Sequence, residues 1–176
     1  ARERMVTVKS ESLLELLNGA YLNADRGKNG VYALSHVKIE LEGERVKSTG
    51  TDRYRLIMGE IAGEGEGNGV AYIGHKDIKD LMTWAKKFRL VSLTIEGESL
   101  RLDGDKVATL ELRSSDITYP SYESIVELCS RKSESVEEIG FNPSFMADYA
   151  KLCDPKQGIR LVFSGDKYAI KVLIPN

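Results

Sequence analysis

The side chains that most often perform catalysis or bind metals are few and scattered in this sequence. His36 and His75 belong to no recognisable catalytic triad and to no HExxH zinc motif. His36 lies in a stretch of alternating apolar and polar residues, which predicts a surface position rather than a general base. Cys129 and Cys153 show no metal-ligand spacing and are too few for a disulfide framework, so we expect two reduced thiols. The sequence therefore predicts no catalytic residue, no metal site and no cofactor.

The segment Gly63-Glu64-Gly65-Glu66-Gly67-Asn68-Gly69 resembles a phosphate-binding loop only in its glycine content. It lacks the Lys-Ser/Thr pair that would hold phosphate and metal, and its glutamates would repel an anion. The sequence also lacks a cluster of carboxylates of the kind that would indicate a nuclease. These observations make an enzyme of unknown type only a distant third interpretation.

Basic side chains are concentrated in one segment with helical periodicity, between His75 and Arg89. This segment contains five basic residues and two acidic ones, Asp77 and Asp80, so its local charge is +3. The basic residues are Lys76, Lys79, Lys86, Lys87 and Arg89. Such a face is typical of contact with nucleic-acid phosphates, and a solvated lysine face is an equal alternative. The 176-residue chain has a net charge of −2, no polybasic tail and no apolar run long enough to cross a membrane, and its first residues lack the apolar core typical of a signal peptide. We therefore expect a cytoplasmic protein without membrane contact.

The elements that would position these residues repeat along the chain. Three stretches, from Val6, Ala71 and Glu138, each predict a short strand followed by an amphipathic helix. Leu13, Ile78 and Phe145 superpose at offsets of 65 and 67 residues. The helical stripes are Leu13, Leu17, Ala20, Tyr21; Ile78, Leu81, Met82, Ala85; and Phe145, Tyr149, Leu152, Cys153. Polar caps are predicted at Ser10, at His75 or Asp77, and at Asn142 before Pro143.

After each helix the apolar period shortens to two, which predicts strands. Val37, Ile39 and Leu41 alternate with polar residues before a predicted turn at 42–44, and further strands are expected near 93–96, 100–102, 108–112, 159–163 and 168–174. The glycine-rich stretch 63–69 is predicted to link the first two units, and residues 129–135 the last two. The fold class is therefore α+β, with repeated β-α-β-β-β units.

Four segments together resemble the bacterial β sliding clamps, the β subunit of DNA polymerase III. Residues 48–61 read STGTDRYRLIMGEI and are similar to the clamps' TD-x-x-RL strand. TYPSYESIV at 118–126 is similar to the aromatic segment that closes the clamps' middle domain. EIGFNPSFMADYAKL at 138–152 is similar to their GFN-x-x-Y strand and helix, and the chain ends in VLIPN.

The resemblance implies a DNA-clamp fold, with helices on one face of antiparallel sheets. Residues 1–126 would be a complete domain of the middle type, and 127–176 the second half of a last-type domain with two strands instead of three. Clamps close a ring of twelve repeated units, so three units per chain favour a tetramer. The reduction suggests a phage-encoded protein acting in an infected bacterial cell.

The resemblance also implies a hydrophobic pocket that binds peptides of polymerases and other partners. Carried over by position, its residues are Leu34, Thr51, Arg53, Tyr54, Arg55, Leu56, Pro120, Ser124, Ile125, Val172, Leu173, Ile174 and Pro175. Ser124 stands where the family often has a basic residue. An alternative is that Leu34, Leu56 and Ile125 are ordinary core residues and that the tail is a plain edge strand.

Two functions follow from the resemblance. The first is a non-enzymatic DNA polymerase processivity factor for DNA replication, which encircles double-stranded DNA without sequence specificity and requires a clamp loader if the ring is closed. The second is a clamp mimic that does not encircle DNA and acts as an adaptor or competitor for clamp-binding peptides. The shortened C-terminal edge and the acidic residues Glu11 and Glu15 of the first helix favour the mimic, and the basic second helix favours the ring.

Overall fold

The computed structural model describes residues 4–27, 30–129, 138–164 and 169–175, and the chain divides into two compact units, Ala1–Tyr119 and Pro120–Asn176. The first unit contains strands β1 (Val6–Lys9), β2 (His36–Thr51), β3 (Leu56–Gly74), β4 (Leu90–Glu96), β5 (Ser99–Gly104) and β6 (Ala108–Arg113), with helices α1 (Ser10–Asn23) and α2 (His75–Ala85) and a 3₁₀ turn at Tyr32–Ser35. The second unit contains α3 (Glu123–Cys129), α4 (Pro143–Tyr149), β7 (Arg160–Val162) and β8 (Lys171–Leu173).

The first unit is built from two repeats that exchange their leading strands. Its six-stranded antiparallel sheet has the order β2-β3-β1-β4-β5-β6. Strand β1, which precedes α1, pairs with β4, which follows α2. The end of β3, which precedes α2, pairs with the start of β2, which follows α1, with His36 opposite Gly74. This reciprocal pairing explains why two copies of one sequence pattern form a single sheet.

The glycine-rich stretch joins the two repeats, as expected, but as part of a strand and not as a flexible linker. It lies within β3, where Glu64 and Gly65 pair with β1. A Cβ atom on Gly63 would overlap the carbonyl oxygen of Thr7, and one on Gly65, which has φ +110°, would overlap the carbonyl oxygen of Met5. Glycine is needed here because two backbones approach closely.

The predicted turn at 42–44 is also wrong, because β2 continues through it. The pairing register of β2 with β3 shifts between Gly43 and Arg45, and Gly43 has φ +60°. Residues 63–66 of β3 lie opposite the single residue Glu44 of β2, so the irregularity is a bulge on β3, and it lies where Glu64 and Gly65 pair with β1.

Helices α1 and α2 pack against each other, and α1 covers β2 and β3. The predicted stripes are confirmed for these helices: Leu13, Leu17, Ile78 and Leu81 are fully buried, and Trp84 packs against the same core. The predicted side-chain caps of both helices are wrong. Lys9 and Gly74 occupy the N-cap positions without a side-chain bond, and Ser10 Oγ instead donates to the carbonyl oxygen of Ala85.

The second unit matches its predicted elements less closely. Asn142 caps α4 as expected, accepting a hydrogen bond from the amide of Ser144 at 3.0 Å. The helix ends at Tyr149, so Leu152 and Cys153 lie beyond it, and residues 138–142 form no strand. Strands β7 and β8 form a two-stranded sheet in which Leu161 pairs with Val172. Most of the predicted linker 129–135 lies outside the described residues.

Candidate peptide-binding turn and basic helix

The sequence motif TD-x-x-RL forms a tight turn between β2 and β3. Thr51 Oγ1 donates to the carbonyl oxygen of Arg55 at 2.7 Å, and Asp52 Oδ1 accepts from the amides of Tyr54 and Arg55 at 3.1 and 3.0 Å. The carboxylate also accepts from Arg55 Nε at 3.0 Å, and the two side chains are only 12% and 9% exposed. The motif thus builds a pre-organised turn whose polar groups are used internally.

The apex of this turn faces solvent. Tyr54 is 71% exposed, Arg53 is exposed, and Leu56 is half-buried at the start of β3. Met58, two residues into β3, is 52% exposed. Both side chains offer apolar contact area to a partner, since aromatic side chains and methionine are enriched at interfaces.

The turn and Leu34 both reach the carboxyl end of α1. Arg55 Nη2 donates to the carbonyl oxygen of Leu22 at 3.0 Å, and the carbonyl oxygen of Leu34 accepts from the amide of Asp25 at 2.9 Å. Leu34 itself is 3% exposed, so its side chain belongs to the core in this structure. The first group of predicted pocket residues is therefore assembled around one helix end, with Leu34 beneath the surface.

The second group of predicted pocket residues lies in the second unit. Ser124 and Ile125 are on α3, and Ile125 is 52% exposed; Pro120 precedes that helix and is exposed. Val172 and Leu173 are on β8, and they are followed by Ile174, with all three half-buried, and by the exposed Pro175. The alternative of an ordinary core position therefore does not describe Ile125.

The five predicted DNA-facing side chains are all exposed, although they do not share one helix. Lys76 and Lys79 lie on α2, whereas Lys86, Lys87 and Arg89 follow its end at Ala85. The backbone amides of Arg89 and Leu90 bind the carboxylate of Asp105, which fixes the segment between α2 and β4. The basic face is therefore part helix and part connecting segment.

The prediction that His36 is a surface residue is wrong. The ring is 3% exposed, with Nδ1 2.9 Å from the carbonyl oxygen of Tyr32 and Nε2 3.0 Å from Ser115 Oγ. Because a carbonyl oxygen can only accept, Nδ1 is the donor to Tyr32, whereas the Ser115 hydroxyl can either donate or accept. Both ring nitrogens are therefore engaged by groups of the first unit, Tyr32 and Ser115.

A cleft of about 550 Å³ opens beside His36 at the start of α2. Burial, and secondarily the charges of Lys76 and Arg26, lower the pKa of His75 at its edge. No residue of the predicted peptide pocket lines this cleft; its walls are Gly27, Gly30, Val31, Tyr32, Ser35, His36, Gly74, His75, Lys76, Asp77 and Ser115. No group of three His, Cys, Asp or Glu side chains that could hold a metal is found within the described ranges.

Asp52 is the residue of the candidate site that sequence reasoning missed, since it was not included in the predicted pocket. An acid three residues before an arginine, between two strand patterns, is a signal that could have found it. Its carboxylate accepts hydrogen bonds from the backbone amides of Tyr54 and Arg55 and from the Arg55 side chain. Met58 was also missed, because its exposure follows from the position of β3 and not from local sequence.

The sequence matches no family model and no curated protein. Solved structures give clear matches. The DNA polymerase sliding clamp of Bacillus subtilis has a TM-score of 0.77 at 16% identity, covering 99% of this chain and 62% of the clamp. The DNA polymerase III β subunit of Thermotoga maritima has a TM-score of 0.81 at 14% identity, covering 100% of this chain and 63% of that one. The Helicobacter pylori β clamp bound to a DNA ligase peptide matches over 66% of this chain, with a TM-score of 0.55 at 20% identity.

These matches, together with the exchanged β-α-β repeats, define a protein of the DNA-clamp fold. Within that class, the structures matched along nearly the whole chain are bacterial DNA polymerase III β sliding clamps, and this chain has their fold. The predicted resemblance and fold class are confirmed. The chain spans about 62% of the length of the clamps it matches.

No helix of the described residues is long and apolar enough to cross a membrane.

Proposed function

We propose that this protein is a non-catalytic, sliding-clamp-like processivity factor of DNA replication. In this proposal several copies form a ring around double-stranded DNA and tether a polymerase through a peptide pocket. The observation that carries the proposal is the sliding-clamp fold along 98–100% of the chain in five solved clamps. Residues 1–126 would act as a middle-type clamp domain and 127–176 as half of a last-type domain.

The mechanism would be topological. A ring holds DNA by enclosure, so its inner surface needs only weak, sequence-independent attraction to phosphates. The exposed Lys76, Lys79, Lys86, Lys87 and Arg89 would supply this attraction in the cytoplasm of a bacterial or phage-infected cell. A closed ring would require a clamp loader to open it.

In this proposal the turn at Thr51–Leu56 contacts the partner peptide, and in the second unit Pro120, Ser124, Ile125 and 172–175 are proposed as peptide contacts as well. The turn supports this role because its backbone is fixed by Asp52 while Tyr54 remains 71% exposed. A pre-organised turn loses little conformational entropy when a peptide binds, which favours affinity. The ligase peptide bound to the Helicobacter pylori clamp is an example of such a ligand for that protein.

Tyr54→Ala tests the pocket. The side chain contributes little to the core, so the variant should fold normally and lose at least about tenfold in affinity for a clamp-binding peptide, as removal of an aromatic anchor does. Fluorescence anisotropy with a labelled peptide measures this. Val107→Ala, at an 80% exposed residue in the β5–β6 turn, is the control and should bind as the wild type does. Equal affinity in all three proteins would remove Tyr54 from the pocket.

Charge reversal at Lys86 and Lys87 tests the DNA-facing surface. The double variant should be lost from circular DNA about tenfold faster and show a salt dependence weaker by about two phosphate contacts, while peptide affinity is unchanged. A matched variant, Lys106→Glu with Lys151→Glu, makes the same change in net charge at two other exposed lysines. Equal loss from DNA in both variants would mean that only net charge matters.

The non-encircling mimic remains the second candidate, because the exposed face of α1 carries Glu11 and Glu15 and the β7–β8 sheet has two strands within the described residues. Light scattering over a concentration series separates the two candidates. A discrete species of four chains supports the ring, whereas a monomer that still binds peptide supports the mimic.

A further inference from the structure

The apex of the Thr51–Leu56 turn contains a residue in a conformation that favours glycine. Arg53 has φ +84°, and among the described residues the other non-glycine positions with positive φ are Asp105 and Lys106. Those two are the central residues of a tight β5–β6 hairpin in which the amide of Val107 donates to Gly104, and such a turn requires positive φ at both positions. Their strain therefore has a local geometric reason.

The geometry of the turn at Arg53 does not explain why this position is an arginine. In its turn only the first of the two central residues has positive φ, and glycine is the usual residue at that place in a hairpin. Left-handed backbone is unfavourable for residues with a Cβ atom and persists where surrounding bonds over-determine it. Here those bonds are the hydrogen bonds of Thr51 and the Asp52 carboxylate to the backbone of residues 53–55.

The charged side chains of the turn differ in how accessible they are to a partner. Asp52 and Arg55 neutralise each other at 3.0 Å and are nearly buried. Arg53 is exposed, and no carboxylate of the described residues forms an ion pair with its guanidinium. The turn therefore presents one cation without an ion-pair partner among the described residues, and the next residue in the chain is the exposed Tyr54 of the proposed pocket.

We propose that Arg53 determines peptide specificity by binding a carboxylate in the partner peptide, close to the apolar residues that contact Tyr54. This inference rests on the proposed peptide-binding function. An arginine can donate two parallel hydrogen bonds to a carboxylate, which selects aspartate or glutamate over their amides. The backbone strain at residue 53 is then the cost of placing this cation at the rim of the pocket.

The test compares short labelled peptides that end in two large apolar residues and carry a single aspartate at successive positions, each with its asparagine counterpart. The full-length wild type should prefer one aspartate peptide about three- to tenfold, and the preference should shrink as salt is added. Arg53→Gly should bind both members of that pair equally, and Arg53→Glu should reverse the preference. Arg53→Gly should melt at the same or a higher temperature, because glycine accepts φ +84° without strain.

Lys106→Gly is the matched control, since it removes a cation from a residue with positive φ in a hairpin outside the proposed pocket. This variant should keep the full preference for the aspartate peptide. Unchanged discrimination in Arg53→Gly overturns the inference while peptide binding itself stands. Loss of DNA retention by Arg53→Gly, with discrimination intact, assigns the cation to the DNA backbone and also overturns it. A wild type that binds no peptide of the set refutes the proposed function instead.

Discussion

Asp52→Ala is the substitution that most directly tests how the candidate site is built. It removes the acceptor of the Tyr54 and Arg55 amides and leaves the guanidinium of Arg55 without its carboxylate. Both side chains of the pair are about nine-tenths buried, so the charge that remains is poorly solvated. Removing one partner of a buried pair costs about 3–5 kcal/mol of folding stability. The hydrogen bond of Arg55 to the carbonyl oxygen of Leu22 still satisfies part of the guanidinium, so we expect a loss of about 3 kcal/mol.

For a unit of this size, a loss of about 3 kcal/mol corresponds to a melting temperature lower by about 10 °C. The assay is thermal unfolding followed by circular dichroism, with peptide affinity measured below the transition. Glu60→Ala provides the control, because the Arg45–Glu60 pair has the same 3.0 Å separation but is about half exposed. Exposed pairs contribute under about 1 kcal/mol, so this variant should melt close to the wild type.

The two variants should also differ in peptide binding. Asp52→Ala should weaken binding even where it is fully folded, since the turn loses its fixed backbone, and Glu60→Ala should not. If Asp52→Ala has the same melting temperature as Glu60→Ala, the buried pair does not hold the turn. The account of the pre-organised site would then be refuted.

Two further predictions concern the first unit. Gly63→Ala should lower the free energy of unfolding by about 2 kcal/mol, because the added methyl overlaps the backbone of Thr7. Gly74→Ala, on the same strand, places its methyl in open space and should change the free energy of unfolding by less than half of that. Urea denaturation measures both variants, and equal losses would contradict the close approach of β1 and β3. Burial lowers the pKa of His75 from its ordinary 6.5, so the unfolded chain binds this proton first and stability should fall as pH drops through about 6.5 towards the folded pKa. His75→Gln should reduce that loss, and a melting temperature with the same pH dependence in both proteins would exclude His75 as its source.

The sequence alone was sufficient for the features that depend on neighbouring residues. The spacing of Leu13, Leu17, Ile78 and Leu81 identified two helices and their buried faces, because the helical period brings residues three and four apart to one side. The overlay of the repeated units and the TD-x-x-RL motif led to the clamp fold, which the solved clamps confirm. Asn142 and Pro143 correctly marked the start of α4.

Only the tertiary structure decided the features that depend on residues far apart in the chain. Glycines typical of a linker became a strand because β1 passes against them, some 55 to 60 residues away in sequence. His36 is buried and hydrogen-bonded to Ser115, which no local pattern links to it. Arg53 and Arg55 look equivalent in the sequence, yet Asp52 and the end of α1 bury and neutralise Arg55 while Arg53 stays exposed. Local periodicity specifies which face of an element is apolar, but burial, pairing and the charge left available are set by the partners that folding brings together.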